Sequence, residues 1–390
     1  MATISFARGV PSADLLPVDE LKSAIARAMD KDATGMLLYG DPMGYMPLRT
    51  WIGDRWGFDA AGVFVTNGSL QAFAFIAEVL FAGSGGRAAV EAPTYDRTIL
   101  TLKRFGATVD AYPLLEDGID VDALEAAIKA GKTPGLVYII PNFQNPAGNV
   151  TTLAVRQRLV DLAAEHGFWI FEDDPYGDLR FSGNDVARMV DLDTAGRVIY
   201  STSFTKTIAP GVRAGALLLP EELRKKMAYI ANQTYIGAVH FAHAAVAEYC
   251  AAGEFDKGLD RARPQLEARK DALVAALDTH LGDRFTYRAP EGGYFLWGKL
   301  EGVDCDLLLP KATEAGVPFV KGSDFFVDGS GKDHLRLAFS AVKPEEMDEG
   351  IARLAAALVV TAYATKGSDP LVAFLHDPLS ESKRVMRSCD

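Results

Sequence analysis

The run Phe168-Trp169-Ile170-Phe171 passes directly into Glu172-Asp173-Asp174, and no other stretch constrains the fold as tightly. Four consecutive large apolar side chains leave a strand without a polar face. Both of its faces therefore need cover, as in a parallel sheet layered between helices. Shorter apolar runs at 88–92, 136–140 and 198–200 have the same character. Stretches with helical periodicity separate them, and one, over 155–165, has Thr152 as a candidate N-cap and Gly167 as its stop. Strands and helices alternating in this way predict an α/β fold with a mainly parallel sheet in a large domain.

Past residue 248 or so the pattern changes. A long charged helical stretch over 255–281 precedes two segments, 291–297 and 334–340, that alternate like strands with one covered face, which predicts a smaller α+β domain. The expected organisation is an N-terminal arm (1–40), with a helix near 18–30, then a large domain (41–254), a small domain (255–363) and a tail (364–390). With 49% hydrophobic residues among 390, the chain can fill at least one large core and reads as a soluble globular protein. Its 52 acidic against 40 basic residues give a net charge of -12, which repels nucleic acid and anionic membranes and favours small-molecule chemistry. Cys250, Cys305 and Cys389 are too scattered for a disulfide framework or a thiolate metal site, so a reducing cytoplasm is expected. His240 and His243 have helical metal-ligand spacing but no third ligand, and read as structural. No targeting signal is found, and the longest apolar segment, 354–364, is too short to span a bilayer.

The unusual polar groups fall just past the predicted strands, where open α/β sheets place their ligands. Asn142-Phe143-Gln144-Asn145-Pro146 follows the 136–140 run, and Glu172-Asp173-Asp174-Pro175-Tyr176 follows 168–171. After 198–200 comes a segment from Ser201 to Arg213 that sets Lys206 among Ser203, Thr205 and Arg213. Near residue 63 a fourth strand meets Thr66-Asn67-Gly68-Ser69 and then a helix whose Leu70, Phe73, Ala74, Ala77 and Leu80 share a face. A strand, a glycine turn and a helix start aim free N–H groups and the positive helix end at one spot, a natural phosphate seat. Taken singly, Lys206 is either a nucleophilic amine or an ordinary solvated lysine, and Asp173 one of three adjacent acids. Tyr95 and Tyr176 could pack beneath loops. The face carrying Arg336, Ala338 and Ser340 suits solvent as well as a site. Together, a lysine, an acid, a tyrosine, an amide, an arginine and an anion seat around one crevice suit a phosphorylated pyridine cofactor.

In these motifs, and in their order from Ser5-Phe6-Ala7 to about residue 358, the chain resembles the fold-type I aminotransferases that depend on pyridoxal 5'-phosphate (PLP). Its branch is that of the aminoadipate and kynurenine aminotransferases and of the C-terminal halves of MocR-type regulators. The resemblance implies that Lys206 is the Schiff-base lysine and later the acid/base at the substrate's α-carbon. It implies that Asp173 pairs with the pyridinium nitrogen, that Tyr176 and Asn145 hydrogen-bond the ring hydroxyl with Asn142 nearby, and that Tyr95 stacks on the ring. Ser69, the backbone at Leu70, Ser203, Thr205, Arg213 and the partner subunit's Tyr39 would hold the phosphate of a homodimer. Arg336 would grip the substrate's α-carboxylate, with Asn145 beside it. Leu70 stands where relatives often have glutamine, Thr205 where serine is usual, and Arg8 where a small residue is usual, so Arg8 is expected to alter access or to contact a substrate's distal group.

The function implied is transfer of an amino group from an α-amino acid to a 2-oxo acid, 2-oxoglutarate above all, by a ping-pong route. Two alternatives stay open. The same residues serve PLP enzymes that decarboxylate, eliminate or oxidise. A PLP-sensing regulatory module is the other; MocR-type proteins place a DNA-binding unit ahead of this domain, whereas here the pattern begins by Ser5 and the charge is acidic.

Overall fold

All four apolar runs form strands. The computed structural model describes residues 2–366; the expected tail from 367 onward, and Cys389 within it, lie outside them. In chain order the first eight strands are β1 (Val63–Thr66), β2 (Arg87–Ala92), β3 (Thr108–Leu115), β4 (Gly118–Ile119), β5 (Leu136–Ile139), β6 (Trp169–Asp173), β7 (Val198–Ser203) and β8 (Gly215–Leu218). They build one sheet in the order β1-β8-β7-β6-β5-β2-β3-β4. Pairing is parallel from β7 through β6, β5 and β2 to β3, while β8 runs antiparallel to both its neighbours and β4 to β3. A second sheet, wholly antiparallel, takes β9 (Phe285–Tyr287), β10 (Phe295–Leu300), β11 (Val320–Lys321) and β12 (His334–Ala338) in the order β11-β12-β10-β9.

The large sheet is covered on both faces, as its composition demands. Because side chains alternate along a strand, Tyr138 and Phe171 meet on one face, their rings stacked at 5.6 Å, beneath Phe73 of the helix Ser69–Phe81. On the other face Val137, Ile139 and Ile170 pack with Leu159, Leu162 and Ala163 of the helix Leu153–His166. That helix starts and stops where its signals stand: the Thr152 side chain accepts from the Val155 N–H, and Gly167 takes a left-handed φ of 77°.

Three features differ from the sequence expectations. The helix starting at Ser69 is covered on two sides, so its buried residues are Ala72, Phe73, Phe75, Ile76, Ala77 and Phe81, and Leu70 at its tip is 40% exposed, outside the core. The first helix runs on from Val18 to Leu37 across a break at Asp32, whose carboxylate accepts from the Gly35 N–H at 2.9 Å and the Tyr45 hydroxyl at 2.9 Å. The Arg336 face of β12, which alternation alone left undecided between solvent and a site, is covered by the start of the chain. Ala338 N–H donates to the Phe6 carbonyl at 2.8 Å, and the Ser340 hydroxyl to that of Val10 at 2.8 Å.

The ends of β2 and β5 are tied together by a buried carboxyl. Glu91 Oε2 accepts from the Ile140 N–H at 3.2 Å and from Gln144 Nε2 at 3.1 Å, and Gln144 also donates to the Pro93 carbonyl at 2.8 Å. Among the described residues no cation neutralises this carboxyl, and burial pushes its pKa from 4.5 up to about 8 against the pull of both hydrogen bonds. Between those two values the unfolded chain binds fewer protons than the folded one, so Glu91 makes stability fall as pH rises from 4.5 to about 8. Glu91→Gln keeps the shape and removes the titration. Urea midpoints across that range are expected to favour the variant increasingly with pH, and parallel curves would show that Glu91 does not titrate as described.

Candidate active site

Strand register decides which polar groups converge. Opposite one another across β1, β8 and β7 stand Thr66, Gly215 and Ser203, and opposite one another across β6 and β7 stand Asp173 and Ser201. The start of the helix Ser69–Phe81 therefore lies against Gly215, where a β-carbon would come within 2.3 Å of the Ser69 nitrogen. Gly68 is equally constrained: its φ is 100°, and a β-carbon there would meet Arg213 Nη2 at 2.3 Å. Arg213 itself is left-handed at φ 46° and donates to the Asn67 carbonyl at 3.1 Å. Ser203, Thr205, Ser69, the Leu70 backbone and Arg213 thus surround one spot, an anion seat made of a helix start, hydroxyls and a guanidinium.

This seat is one end of a cavity of about 560 Å3, a usual size for a small-molecule site. Lys206 lies along it, in the short helix Phe204–Thr207 that Ser203 caps. Its Nζ donates to the Gly9 carbonyl at 2.5 Å and lies 5.6 Å from the Tyr294 ring centre and 5.9 Å from that of Tyr176. The Tyr294 hydroxyl fixes the lysine's backbone by donating to its carbonyl at 2.6 Å. Burial, reinforced by Arg336 and Arg213, lowers the Lys206 pKa to about 8, so a fraction of the amine is unprotonated and nucleophilic near neutral pH.

Asp173 ends β6 on the same face as Phe171, whereas Glu172 and Asp174 alternate to the other face. There Glu172 accepts from the Met189 and Val190 N–H groups at 2.8 and 2.9 Å, and Asp174 from Asn142 Nδ2 and the Gly177 N–H, each at 3.0 Å. Of three adjacent acids, only Asp173 faces the cavity. The Tyr138 hydroxyl donates to its Oδ2 at 2.5 Å and that of Ser201 to its Oδ1 at 3.1 Å. Enclosure raises its pKa to about 6, with both hydrogen bonds opposing the rise. Across the cavity Arg336 donates to Asn145 Oδ1 at 2.7 Å and to the Ala7 carbonyl at 2.9 Å, its guanidinium 4.1 Å from the Phe295 ring centre. Burial lowers its pKa to about 10, and its Nε has no partner among the described residues.

Of the residues read from the sequence, twelve line this cavity: Arg8, Ser69, Leu70, Tyr95, Asn145, Asp173, Tyr176, Ser203, Thr205, Lys206, Arg213 and Arg336. Asn142 is not brought there. It belongs to the opposite face, where its amide donates to Asp174 and its Oδ1 accepts from Arg156 Nη2 at 2.7 Å, so it supports the strand ends rather than lining the cavity. Tyr39 also lies away from the cavity of its own chain and is 85% exposed. Tyr138, Ser201 and Phe325 line or support the site without having been singled out. A hydroxyl inside the otherwise apolar run 136–140 was the signal for Tyr138.

The model of the family described as Aminotransferase class I and II matches residues 3–354. Aromatic-amino-acid aminotransferase 1 of Thermococcus litoralis is 36% identical over 363 residues, covering 90% of this chain and 87% of that protein. The 2-aminoadipate transaminase of Thermus thermophilus is 33% identical over 359 residues, covering 91% and 90%. The crystal structure of an alpha-aminoadipate aminotransferase from Thermus thermophilus, complexed with N-(5'-phosphopyridoxyl)-L-leucine, superposes with a TM-score of 0.88 at 32% identity, covering 93% of each chain. With the family model spanning nearly the whole chain and these relatives sharing its length, the chain belongs to the class I and II aminotransferases and has their fold-type I architecture.

Proposed function

We propose that this aminotransferase moves the amino group of an α-amino acid to a 2-oxo acid, with 2-oxoglutarate as common acceptor, and that the residues lining the cavity hold PLP and substrate. The observation that carries the assignment of roles is Lys206, an amine of lowered pKa between an anion seat and a carboxylate that lacks a cation. The donor set fits PLP: one amine, one seat for a dianion, one enclosed acid for a ring nitrogen, and aromatic side chains between. PLP supplies an electron sink for the bonds at the substrate's α-carbon.

The chain's residues then divide the work. Lys206 Nζ would hold the cofactor and would afterwards move the proton at the α-carbon, which its lowered pKa allows near neutral pH. Asp173, held by Tyr138 and Ser201, would pair with the ring nitrogen through a charge-assisted bond. Ser69, the Leu70 N–H, Ser203, Thr205 and Arg213 would hold the phosphate, Tyr95 would lie against the ring, and Tyr176 and Asn145 would take its hydroxyl. Arg336, with a free Nε and with Asn145 alongside, grips the α-carboxylate in a bidentate manner.

We also place the enzyme in the cytoplasm as a homodimer. Buried, unpaired Cys250 and Cys305 suit a reducing compartment. Leu37, Leu38 and Tyr39, 62%, 65% and 85% exposed, run into Gly40, which packs against Gly237 and His240, the chain neighbours of exposed Ile236 and Val239, and the Val239 N–H is bonded to Asn67 beside the anion seat. A second copy would cover this apolar strip, and Tyr39 would reach the partner's phosphate.

The purified protein is expected to lose its PLP absorption band when a suitable amino acid is added and to regain it with a 2-oxo acid. Lys206→Ala should retain PLP yet show no such exchange; exchange in that variant, or a wild type that binds no PLP, refutes the reading. Tyr138→Phe removes a hydrogen bond that favours ionised Asp173, so the loss of PLP affinity on acidification should begin at a higher pH, by roughly one to two units. An unshifted profile would remove Tyr138 from this role. Finally, hybrids of Tyr39→Ala and Lys206→Ala subunits contain one intact site if Tyr39 acts across the interface. They should recover up to about half the wild-type activity per dimer, and no recovery would place Tyr39 outside the partner's site.

A further inference from the structure

The segment Ala7-Arg8-Gly9 crosses the cavity with both flanking carbonyls already bound. Ala7 accepts from Arg336 Nη2 at 2.9 Å, and Gly9 from Lys206 Nζ at 2.5 Å. Farther out, Phe6 accepts from the Ala338 N–H and Val10 from the Ser340 hydroxyl, each at 2.8 Å. Four anchored carbonyls in the five residues from Phe6 to Val10 leave the Arg8 backbone one place, between the amine and the guanidinium that flank a bound substrate.

Arg8 lines the same cavity and is exposed. The other cations of the lining are engaged: Lys206, Arg213 and Arg336 with carbonyls or an amide, and Arg97 with Asp96 at 3.5 Å. The Arg8 guanidinium has neither a hydrogen bond nor an ion pair among the described residues; within Arg8 only the carbonyl is engaged, accepting from the Val10 N–H at 3.1 Å. The acids of the lining cannot neutralise it where they stand, since Asp96 pairs with Arg97, Asp324 with Lys321 at 3.6 Å, and Asp173 is held by Tyr138 and Ser201. Once a phosphate occupies the seat at Arg213 and an α-carboxylate lies on Arg336, one unneutralised guanidinium remains at the open side of the cavity.

We infer that Arg8 receives a second, distal carboxylate, which makes dicarboxylic α-amino acids and their 2-oxo acids the substrate class. The inference rests on the aminotransferase reading above. A planar guanidinium matches a carboxylate through two parallel N–H donors, and the neutral amide of the same length offers it one acceptor and no charge. Selectivity then comes from charge at the distal end rather than from side-chain length.

The test compares L-glutamate with L-glutamine in the first half-reaction of the PLP-loaded enzyme, followed by absorbance. Wild type is expected to favour glutamate in kcat/KM, and Arg8→Ala to lower the glutamate-to-glutamine ratio about 10- to 100-fold, the value of one hydrogen-bonded charge pair. Arg8→Lys should retain part of the ratio, and Arg8→Glu should invert it. A wild type indifferent to the pair, or a ratio changed less than about twofold in Arg8→Ala, overturns the inference. Calorimetric binding of glutarate against butyrate separates it from the broader reading. Loss of glutarate preference in Arg8→Ala supports the distal subsite even if no amino acid reacts, whereas turnover with no preference to lose sinks the subsite and leaves the aminotransferase standing.

Discussion

The guanidinium of Arg156, fully buried beneath the large sheet, holds the loops on which the site is mounted. It donates to the carbonyls of Thr151 and Pro141 at 2.9 Å, to Asn142 Oδ1 at 2.7 Å, and to the carbonyls of Val186 and Ala187 at 3.3 and 3.1 Å. The carboxylates of Glu172 and Asp174 offset its charge. Burying a cation is costly unless its donors are satisfied and its charge is balanced, and here both conditions are met by groups that must also be in place for the cavity to exist. Asn142 leads to Asn145, and Glu172 and Asp174 flank Asp173. Arg156 therefore converts the position of a helix behind the sheet into the position of the acid and amide in front of it.

The front face is built on the opposite rule. Lys206, Asp173 and Arg336 are each enclosed, yet none forms an ion pair with another protein group among the described residues. Desolvation consequently acts on all three, lowering the pKa of the lysine and the arginine and raising that of the aspartate. Each group is thus less stable in its charged form than it would be in water, and a ligand carrying the complementary charges relieves that cost. Stability is concentrated behind the sheet, and unsatisfied charge in front of it, within one strand's width.

Much of this was legible in the sequence because it depends on local signals. Apolar runs gave the buried strands, Thr152 and Gly167 the limits of a helix, and the polar residues just past each run the side of the sheet that bears the site. What escaped depends on pairing. The antiparallel β8 is four residues long, and its placement between β1 and β7 follows from register, as does the row of Thr66, Gly215 and Ser203 that assembles the anion seat. The alternation that separates Asp173 from Glu172 and Asp174 was latent in the sequence, but it needs the last residue of β6 to be known. Asn142 was misplaced for the same reason, since in the fold it keeps company with Asp174 and not with Asn145.

The N-terminal segment shows how such a scaffold separates what must be fixed from what can vary. Its contacts with Lys206, Arg336, Ala338 and Ser340 all use main-chain carbonyls, which every residue type supplies. Position 9 is nevertheless constrained, because a β-carbon on Gly9 would come within 2.3 Å of the Phe295 ring. Arg8 lines the cavity, and its guanidinium has no hydrogen bond or ion pair among the described residues. The backbone on either side is held by Lys206 Nζ and by the Arg336 guanidinium. A change of side chain at position 8 therefore alters the charge presented to a substrate without moving either of those groups. On the roles proposed above, the reaction's geometry and its selectivity would be carried by adjacent atoms of one segment, the first by its main chain and the second by a single side chain.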